Sequence, residues 1–454
     1  MPSLIEEQIG TPLAGDYDVI VAGGGASGLI AAIAAARLGA RTLMLEREGC
    51  LGGTATAAYV AQYVGFWNGD TQAVWGIPYE LVERIIAAGG SEGFGAYTMG
   101  EAAASPLTIN RLPFNPEVVK IVQDEMAEEA GIEFLLQTSV VAPLHDGNRI
   151  TGVVVENIAG RKAYRARVVV DATGDAILAH RMGVPMQPDD ASQGRRPQPA
   201  TLVFRLSNVD VARFRALSRG FKREKVREGL ARGELAWESV SFVSTPGGSD
   251  AICLMSRLRG LDPLDDRDAT ALHRQGRAQV KSIVAFLKRE MPGFERAILA
   301  GIAPRVGVRE TRRIIGQYTL TAEDILSERK FEDAIALGCG PMDIHDPNGT
   351  GISLSMPPAP FGIPMRCLLP QAVEGLIVTG RAISATQEAN GGARHMATAM
   401  ALGQAAGVMA ATAMQQANST LAIPAPLVRE ALRRQRAAFT VEQCHAFAAG
   451  GWQG

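Results

Sequence analysis

Arg394 and His395 stand side by side in "GGARHMAT", directly behind Gly391 and Gly392. A guanidinium is planar and permanently charged and can grip a carboxylate or phosphate through two parallel hydrogen bonds. An imidazole can move a proton in either direction near neutral pH. The pair therefore has the chemistry to orient an anionic substrate and to manage a proton. Plainer readings stay open: an arginine tied to a phosphate or a structural carboxylate, and a histidine satisfied in the core. A second constellation is Gly23, Gly25 and Gly28, spaced G-x-G-x-x-G in "YDVIVAGGGASGLIAAIAAARLGARTLMLERE". In that pattern the first glycine permits a tight turn, the second lets backbone approach a pyrophosphate, and the third allows close helix packing. Glu46 ends the next apolar run, where its carboxylate can accept hydrogen bonds from ribose hydroxyls. This is the chemistry of holding a dinucleotide, with NAD and FAD both open.

Such a site needs a strand, a helix and a second strand in fixed order. Tyr17 to Ala22 reads as a buried parallel strand, Ser27 to Leu38 as a packed helix and Arg41 to Glu46 as the next strand, a βαβ unit with phosphates at the helix N-terminus. Further on, "NPEVVKIVQDEMAEEAGIEFLLQTSVVAPLHDG" reads as a capped helix, a stop at Gly131 and strands, and "RITGVVVENIAGRKAYRARVVVDATGD" as short β runs with a turn at Gly160. From about Ala200 the pattern changes: β-like "TLVFRLS" and "AICLMSRL" surround charged helical stretches. The buried-strand-then-glycine pattern returns in "EGLIVTGR", followed by the long Ala/Gly/Met helix of "ATAMALGQAAGVMAATAMQQ".

The choice of nucleotide turns on the residues just past Glu46. In "EREGCLGGTAT", Gly52, Gly53 and Thr54 come where a simple NAD domain would begin its next crossover helix. A second signal is Ala172-Thr173-Gly174-Asp175, ending the strand of "VVVDATGD", and a third is Gly380-Arg381 in "GLIVTGR". Three such signals resemble the glutathione-reductase-type FAD fold. Together with "GVRETRRIIGQYTLTAEDI", "IPMRCLLP" and "GRAISATQEANGGARHMATAMALGQAAG", the set is similar to the FAD-dependent oxidoreductases related to the fumarate reductase and succinate dehydrogenase flavoproteins, over roughly residues 17 to 415. The resemblance implies that Gly23, Gly25, Ala26, Ser27 and Gly28 meet the pyrophosphate and that Glu46, beside Arg47, meets the adenosine ribose. It puts Gly52, Gly53, Thr54 and the Ala172–Asp175 turn near the cofactor, and Gly380 and Arg381 at the ribityl-phosphate side. Ala397 and Thr398, opening the helix after His395, would point at the flavin pyrimidine edge, where a helix N-terminus stabilises negative charge by roughly 0.3–1 kcal/mol. It also implies that Arg394 grips a substrate carboxylate. Related flavoproteins tether FAD through a histidine near the "GG" motif; none stands near Gly52 and Gly53, so noncovalent FAD is expected, with Cys50 the one covalent candidate. The fumarate reductase group's full proton-delivery set has no match in the chain, which puts fumarate and succinate in doubt.

The bulk numbers exclude other classes. The chain has 454 residues, 47% hydrophobic and 20% charged, and 45 Lys+Arg against 47 Asp+Glu for a formal net charge of −2. There is no basic footprint for nucleic acid or an anionic membrane, so small molecules are the expected partners. Five scattered cysteines without a CxxC pair argue against a disulfide framework, zinc ribbon or iron–sulfur cluster and fit a reducing cytoplasm. No stretch reads as an uncharged membrane span or a signal peptide. His345, between Asp343 and Asp346 in "PMDIHDPNGTG", invites a metal reading, but without a partner histidine nearby a substrate-domain loop is preferred and no metal is expected. "RVGVRETRR" supplies Arg305, Arg309, Arg312 and Arg313 and would put Arg309 and Arg312 or Arg313 on one face of a helical turn, where a solvated face or a domain-interface salt-bridge cluster is preferred to a catalytic role. Tyr59, Tyr63, Phe66 and Trp67 either wall a ring or simply pack.

The expectation is an α/β protein: a Rossmann-like FAD-binding domain interrupted by a β-rich α+β substrate domain. The boundaries are a leader over 1–16, FAD-binding parts at 17–199 and 368–418, an insertion at 200–367 and a helical tail at 419–454. The expected activity is hydride transfer between a small organic substrate and flavin N5, with catalytic Arg394 and His395 and an electron donor or acceptor that the sequence leaves unnamed, as it leaves a homo-oligomer open. An NAD-dependent dehydrogenase, an NAD(P)H-coupled flavin monooxygenase and an FAD-binding tRNA-modifying type of protein are the rival readings.

Overall fold

A computed structural model describes residue 5 and residues 7–99, 106–188, 197–416 and 419–450. Its organising element is a sheet in which Leu13–Ala22 lies between Thr42–Leu45 and Gly160–Asp171, parallel to both, with Glu133–Leu135 parallel beyond Thr42–Leu45. Valine, isoleucine and leucine fill these strands because both faces are covered. The first strand begins at Leu13, earlier than the expected leader boundary, since Leu13 already pairs with Ala163. The helix after the glycine loop spans Ala26–Ala36, and the capped helix spans Pro116–Glu129, with Asn115 Oδ1 accepting from Glu117 N at 3.1 Å.

Gly160–Asp171 is the hinge of the architecture. Its first half pairs antiparallel with Arg149–Asn157, which pairs with Ser139–Asp146, whereas its last residues pair in parallel with Leu376–Val378. A strand from far downstream thus returns beside the one ending at Asp171, and Thr379 N donates to Asp171 O at 3.0 Å. In the interval, Phe242–Ser244, Ala251–Cys253, Phe204–Ser207 and Ile298–Ile302 form an antiparallel sheet in that order. The Asp266–Glu290 helix has Val280, Ile283, Phe286 and Leu287 in one buried cluster with Phe204 and Leu206 of that sheet.

The Met396–Gln416 helix has the length and hydropathy of a membrane span, but 89% of that stretch is buried inside the protein. It crosses the glycine-loop helix so closely that a Cβ on Gly403 would stand 2.1 Å from Ser27 O, and one on Gly407 2.1 Å from Ala31 O. Beyond it, Ala425–Arg434 and Val441–Ala448 are helices, and Gln435 joins Gln404 to Ala34 O.

Candidate active site

The three loop glycines have three separate reasons. Gly23 takes φ +101°, and a Cβ there would meet Ala172 O at 2.6 Å; on Gly28 it would meet Gly23 O at 1.8 Å. Gly25 has ordinary φ and nothing nearer than Gly53 Cα at 3.9 Å, so its face is open. The helix that Gly25 begins has no side-chain cap and no acidic residue in its first turn. Its first N–H groups are therefore free to hold an anion. Buried Glu46 accepts from Gly24 N at 2.7 Å and Glu48 N at 2.9 Å. Each carboxylate oxygen keeps capacity for a further donor, as a ribose hydroxyl requires.

The open face of this loop belongs to a cavity of about 480 Å³. Gly25, Ala26 and Ser27 line one side, with Gly53, Thr54 and the Ala172–Gly174 turn beside them; Gly380, Arg381, Arg394 and His395 also face it. The tertiary fold thus brings the three sequence signals and the Gly-Gly-Ala-Arg-His segment to one space. Ser27 Oγ shares a hydrogen bond with Thr379 Oγ1 at 2.8 Å, pinning the returning strand to the glycine-loop helix.

Other expected residues support the site from behind. Asp175 does not line the cavity: Oδ1 accepts from Arg381 Nη2 at 2.5 Å and Thr311 Oγ1 at 2.9 Å, and Arg47 and Arg305 stand 3.9 and 4.0 Å from Oδ2. Burial alone would raise its pKa, but Arg381, Arg305 and Arg47 outweigh it and hold the carboxyl low. Arg381 also donates to Gly174 O at 2.7 Å and Val308 O at 2.8 Å, so its guanidinium ties two loops together. Gly52 donates its N–H to Gly24 O at 2.8 Å and has φ +96°. Ala397 and Thr398 are fully buried outside the cavity lining, and Thr398 Oγ1 has no partner among the described residues. Tyr63 and Phe66 pack in the core, Tyr63 against Phe114 with ring centroids 4.5 Å apart, rather than walling the cavity.

Arg394 and His395 have defined settings. Arg394 Nη2 donates to Asp343 O at 2.8 Å and Asp343 Oδ2 at 3.1 Å, while its buried Nε has no partner among the described residues. His395 Nε2 lies 2.8 Å from Pro341 O; opposite a carbonyl that nitrogen carries the proton, leaving Nδ1 as the basic nitrogen. Burial and the Arg394 charge favour the neutral ring.

Asp343, His345 and Arg309, for which the sequence favoured a loop or a salt-bridge role, also line the cavity, as does Arg257, which no sequence pattern singled out. Arg257 Nη1 lies 3.0 Å from His345 Nδ1; as a guanidinium only donates, the ring proton is on Nε2, which stands 3.3 Å from Asp343 Oδ1. Burial and Arg309 push His345 down to about 4. Burial would raise Asp343, but His345, Arg394 and Arg309 overcome that and keep it ionised. The expected helical turn at Arg305–Arg313 is absent: the chain there runs without helix, bridged through Thr201–Gly307 and Met186–Ile314. Backbone pairing with a neighbouring segment won over local charge spacing, and the arginines part company. Arg309 turns to Pro199 O and Thr201 Oγ1, where burial lowers it to about 10, Arg312 to Asp175 O at 3.4 Å, and Arg313 to Ala385 O at 3.1 Å. The signal available in sequence was the Asp-x-His spacing of a strand, Met342–His345, which sends both side chains to one face.

Known proteins share both the sequence pattern and the fold. The FAD dependent oxidoreductase family matches residues 18–432. A digeranylgeranylglycerophospholipid reductase of Methanopyrus kandleri is 30% identical over 164 residues, 35% of this chain and 38% of its own. A dihydrolipoyl dehydrogenase of Trypanosoma brucei brucei is 54% identical over 43 residues, 10% of this chain and 9% of its own. The matched segment thus spans less than half the length of either relative. Among solved structures, a geranylgeranyl bacteriochlorophyll reductase-like protein of Thermoplasma acidophilum has TM-score 0.50 at 14% identity, covering 97% of this chain and 89% of that one; this likeness shows the fold alone.

Proposed function

Because the chain belongs to the FAD dependent oxidoreductase family, and FAD is its cofactor, we propose that it transfers a hydride between flavin N5 and a small organic substrate bearing an anionic group. The observation that carries this reading is the pair Arg309 and Arg394, both facing the cavity that begins at the glycine loop: Arg394 is ion-paired with Asp343 at 3.1 Å, whereas Arg309, held by Pro199 O and Thr201 Oγ1, has no carboxylate within ion-pair distance among the described residues. Two largely enclosed cations with one ion-paired carboxylate between them are short of negative charge, and a substrate anion would supply it.

The residues fit FAD: an open Gly25, an uncapped helix N-terminus and a buried Glu46 at the end of the second strand are the cradle of a dinucleotide. When bound, FAD supplies the two-electron chemistry. Arg394, held on one edge by Asp343, would receive the anion with its unpaired Nε edge, and Arg309 would share it. Carboxylate is the class that the fumarate reductase resemblance suggests, and the arginines support that class without naming the acid. His395 Nδ1 would take or return the substrate proton. With a single G-x-G-x-x-G in the chain, electrons would be exchanged with a mobile carrier, and the five free cysteines support a reducing cytoplasmic setting.

The test begins with the visible absorption spectrum before and after acid precipitation, where flavin colour moving to the supernatant is expected for noncovalent FAD. Anaerobic bleaching is then measured with small carboxylates and their matching alcohols. Carboxylates alone are expected to bleach, and Arg394→Ala to require at least about tenfold more substrate, about 1.4 kcal/mol. Equal bleaching by the alcohols, or an unaltered Arg394→Ala protein, would sink the arginine role; a colourless protein that FAD cannot restore would sink the whole reading.

A further inference from the structure

The cavity has a second cationic end. Away from the glycine loop it is lined by Arg215, Arg219, Lys222 and Arg223, on the helices Val211–Arg215 and Arg219–Ala231, and by Arg111 of the strand Leu107–Pro113, which feels the charge of Arg215. The same cavity is lined by apolar Phe214, Val226, Val240, Phe242, Leu254 and Val308, together with hydroxyl-bearing Ser239, Ser241 and Ser256.

Three basic residues outside the lining pair with carboxylates: Arg213 is 3.2 Å from Glu295, Lys225 3.0 Å from Glu228, and Arg232 3.0 Å from Glu234. Arg111, Arg215 and Lys222, which line the cavity, have neutral or aromatic neighbours. Arg215 donates to Ser244 Oγ at 2.8 Å, Arg111 donates to Gln62 Oε1 at 2.6 Å and lies 3.8 Å over the Tyr97 ring, and Lys222 is 4.5 Å over the Phe214 ring. Among the described residues no carboxylate stands within ion-pair distance of Arg111, Arg215, Arg219 or Lys222. Burial and the charge of Arg215 depress Arg111, the behaviour of a cation that lacks a counter-charge. Among the described residues the acidic side chain lining the cavity nearby, Glu238, accepts from Thr350 Oγ1 at 3.4 Å and lies on the Arg257 side.

We propose that this outer end is a second anion subsite, built by Arg111, Arg215, Arg219 and Lys222, and that the substrate class is an elongated molecule with an apolar body and a terminal phosphate or carboxylate held there. The proposal rests on the reading above only for the second, inner contact: the outer subsite stands on charge and apolar lining alone. A phosphate takes up three or more donors at once and a carboxylate two, so the cluster of guanidinium and ammonium groups serves either.

The test uses the FAD-saturated protein and calorimetric titration with decyl phosphate, decanoate and decanol below micelle-forming concentration. Expected is binding of both anions at least tenfold tighter than decanol, a preference lost in Arg215→Ala/Arg219→Ala and kept in Arg227→Ala, whose side chain lies outside the cavity lining. A more than tenfold advantage of the phosphate over the carboxylate assigns a phosphorylated substrate; near equality assigns a free acid. Equal binding of decanol and the anions overturns the subsite. So does an anion preference that survives Arg215→Ala/Arg219→Ala and disappears in Arg394→Ala, since it then belongs to the inner arginines. If the purified protein proves colourless while the rim-dependent preference persists, the flavin reading falls and the subsite stands.

Discussion

At the scale of single residues, Gly25 and Gly28 are the same amino acid doing opposite jobs. Gly25 leaves room for a ligand, whereas Gly28 leaves room for Gly23 O, 1.8 Å from where a Cβ would be. Gly25→Ala is therefore expected to keep the melting temperature of the FAD-free protein and to weaken FAD binding at least about tenfold. Gly28→Ala is expected to lower the melting temperature itself, because a backbone carbonyl cannot move aside as a flexible side chain can. Thermal melts of the FAD-free proteins, set beside FAD titrations, separate the two; similar melting losses in both would contradict the division of roles. His345 makes a different point. Its Nδ1 meets Arg257 at 3.0 Å and its Nε2 stands 3.3 Å from Asp343, so besides lining the cavity it bears on Asp343, the carboxylate that holds Arg394.

At the scale of elements, the crossing of Ala26–Ala36 and Met396–Gln416 is what brings the glycine loop and Arg394 to one cavity. Glycine inside a helix costs about 1 kcal/mol relative to alanine, so Gly403 and Gly407 need a reason, and the approach of Ser27 O and Ala31 O supplies it. Gly403→Val is expected to destabilise by about 1–3 kcal/mol or more and to loosen FAD at the same time, since the displaced helix carries Ser27. Denaturant unfolding with flavin fluorescence as a second probe checks both. A variant that loses neither would show that the two helices can part without consequence. The extended path of Arg305–Arg313 is another decision of this scale, since pairing with Thr201 and Met186 sends three arginines to three different partners.

At the scale of the whole molecule, the chain Arg257–His345–Asp343–Arg394 links the interval between the two halves of the nucleotide-binding fold to the segment that closes it. His345 has its pKa lowered to about 4 in the folded protein, against about 6.5 when unfolded. Between those values the unfolded chain binds more protons, so the contribution is present above about pH 6.5 and is lost as the pH falls toward 4. The loss is on the order of 3 kcal/mol. Urea unfolding at several pH values should show this slope in the wild type and a flatter one in His345→Asn; identical slopes would remove His345 as the cause.

The cofactor side of this protein was legible from local order along the chain. The strand, G-x-G-x-x-G, helix, strand and Glu46 succeed one another within a few dozen residues, and local backbone rules dictate that a chain with those glycines turns, packs and leaves a helix N-terminus free. "VVVDATGD" and "GLIVTGR" were legible as related signals because each is a buried strand ending in a turn. Folding in three dimensions was needed to set Leu376–Val378 beside Val169–Asp171, to give Asp175 to Arg381, and to hold Arg394 on Asp343. Those partners lie tens to hundreds of residues apart in the chain. Spacing along a sequence reports which face of an element a side chain takes, but a buried charge chooses its partner across elements, where desolvation makes leaving it unpaired the costlier arrangement.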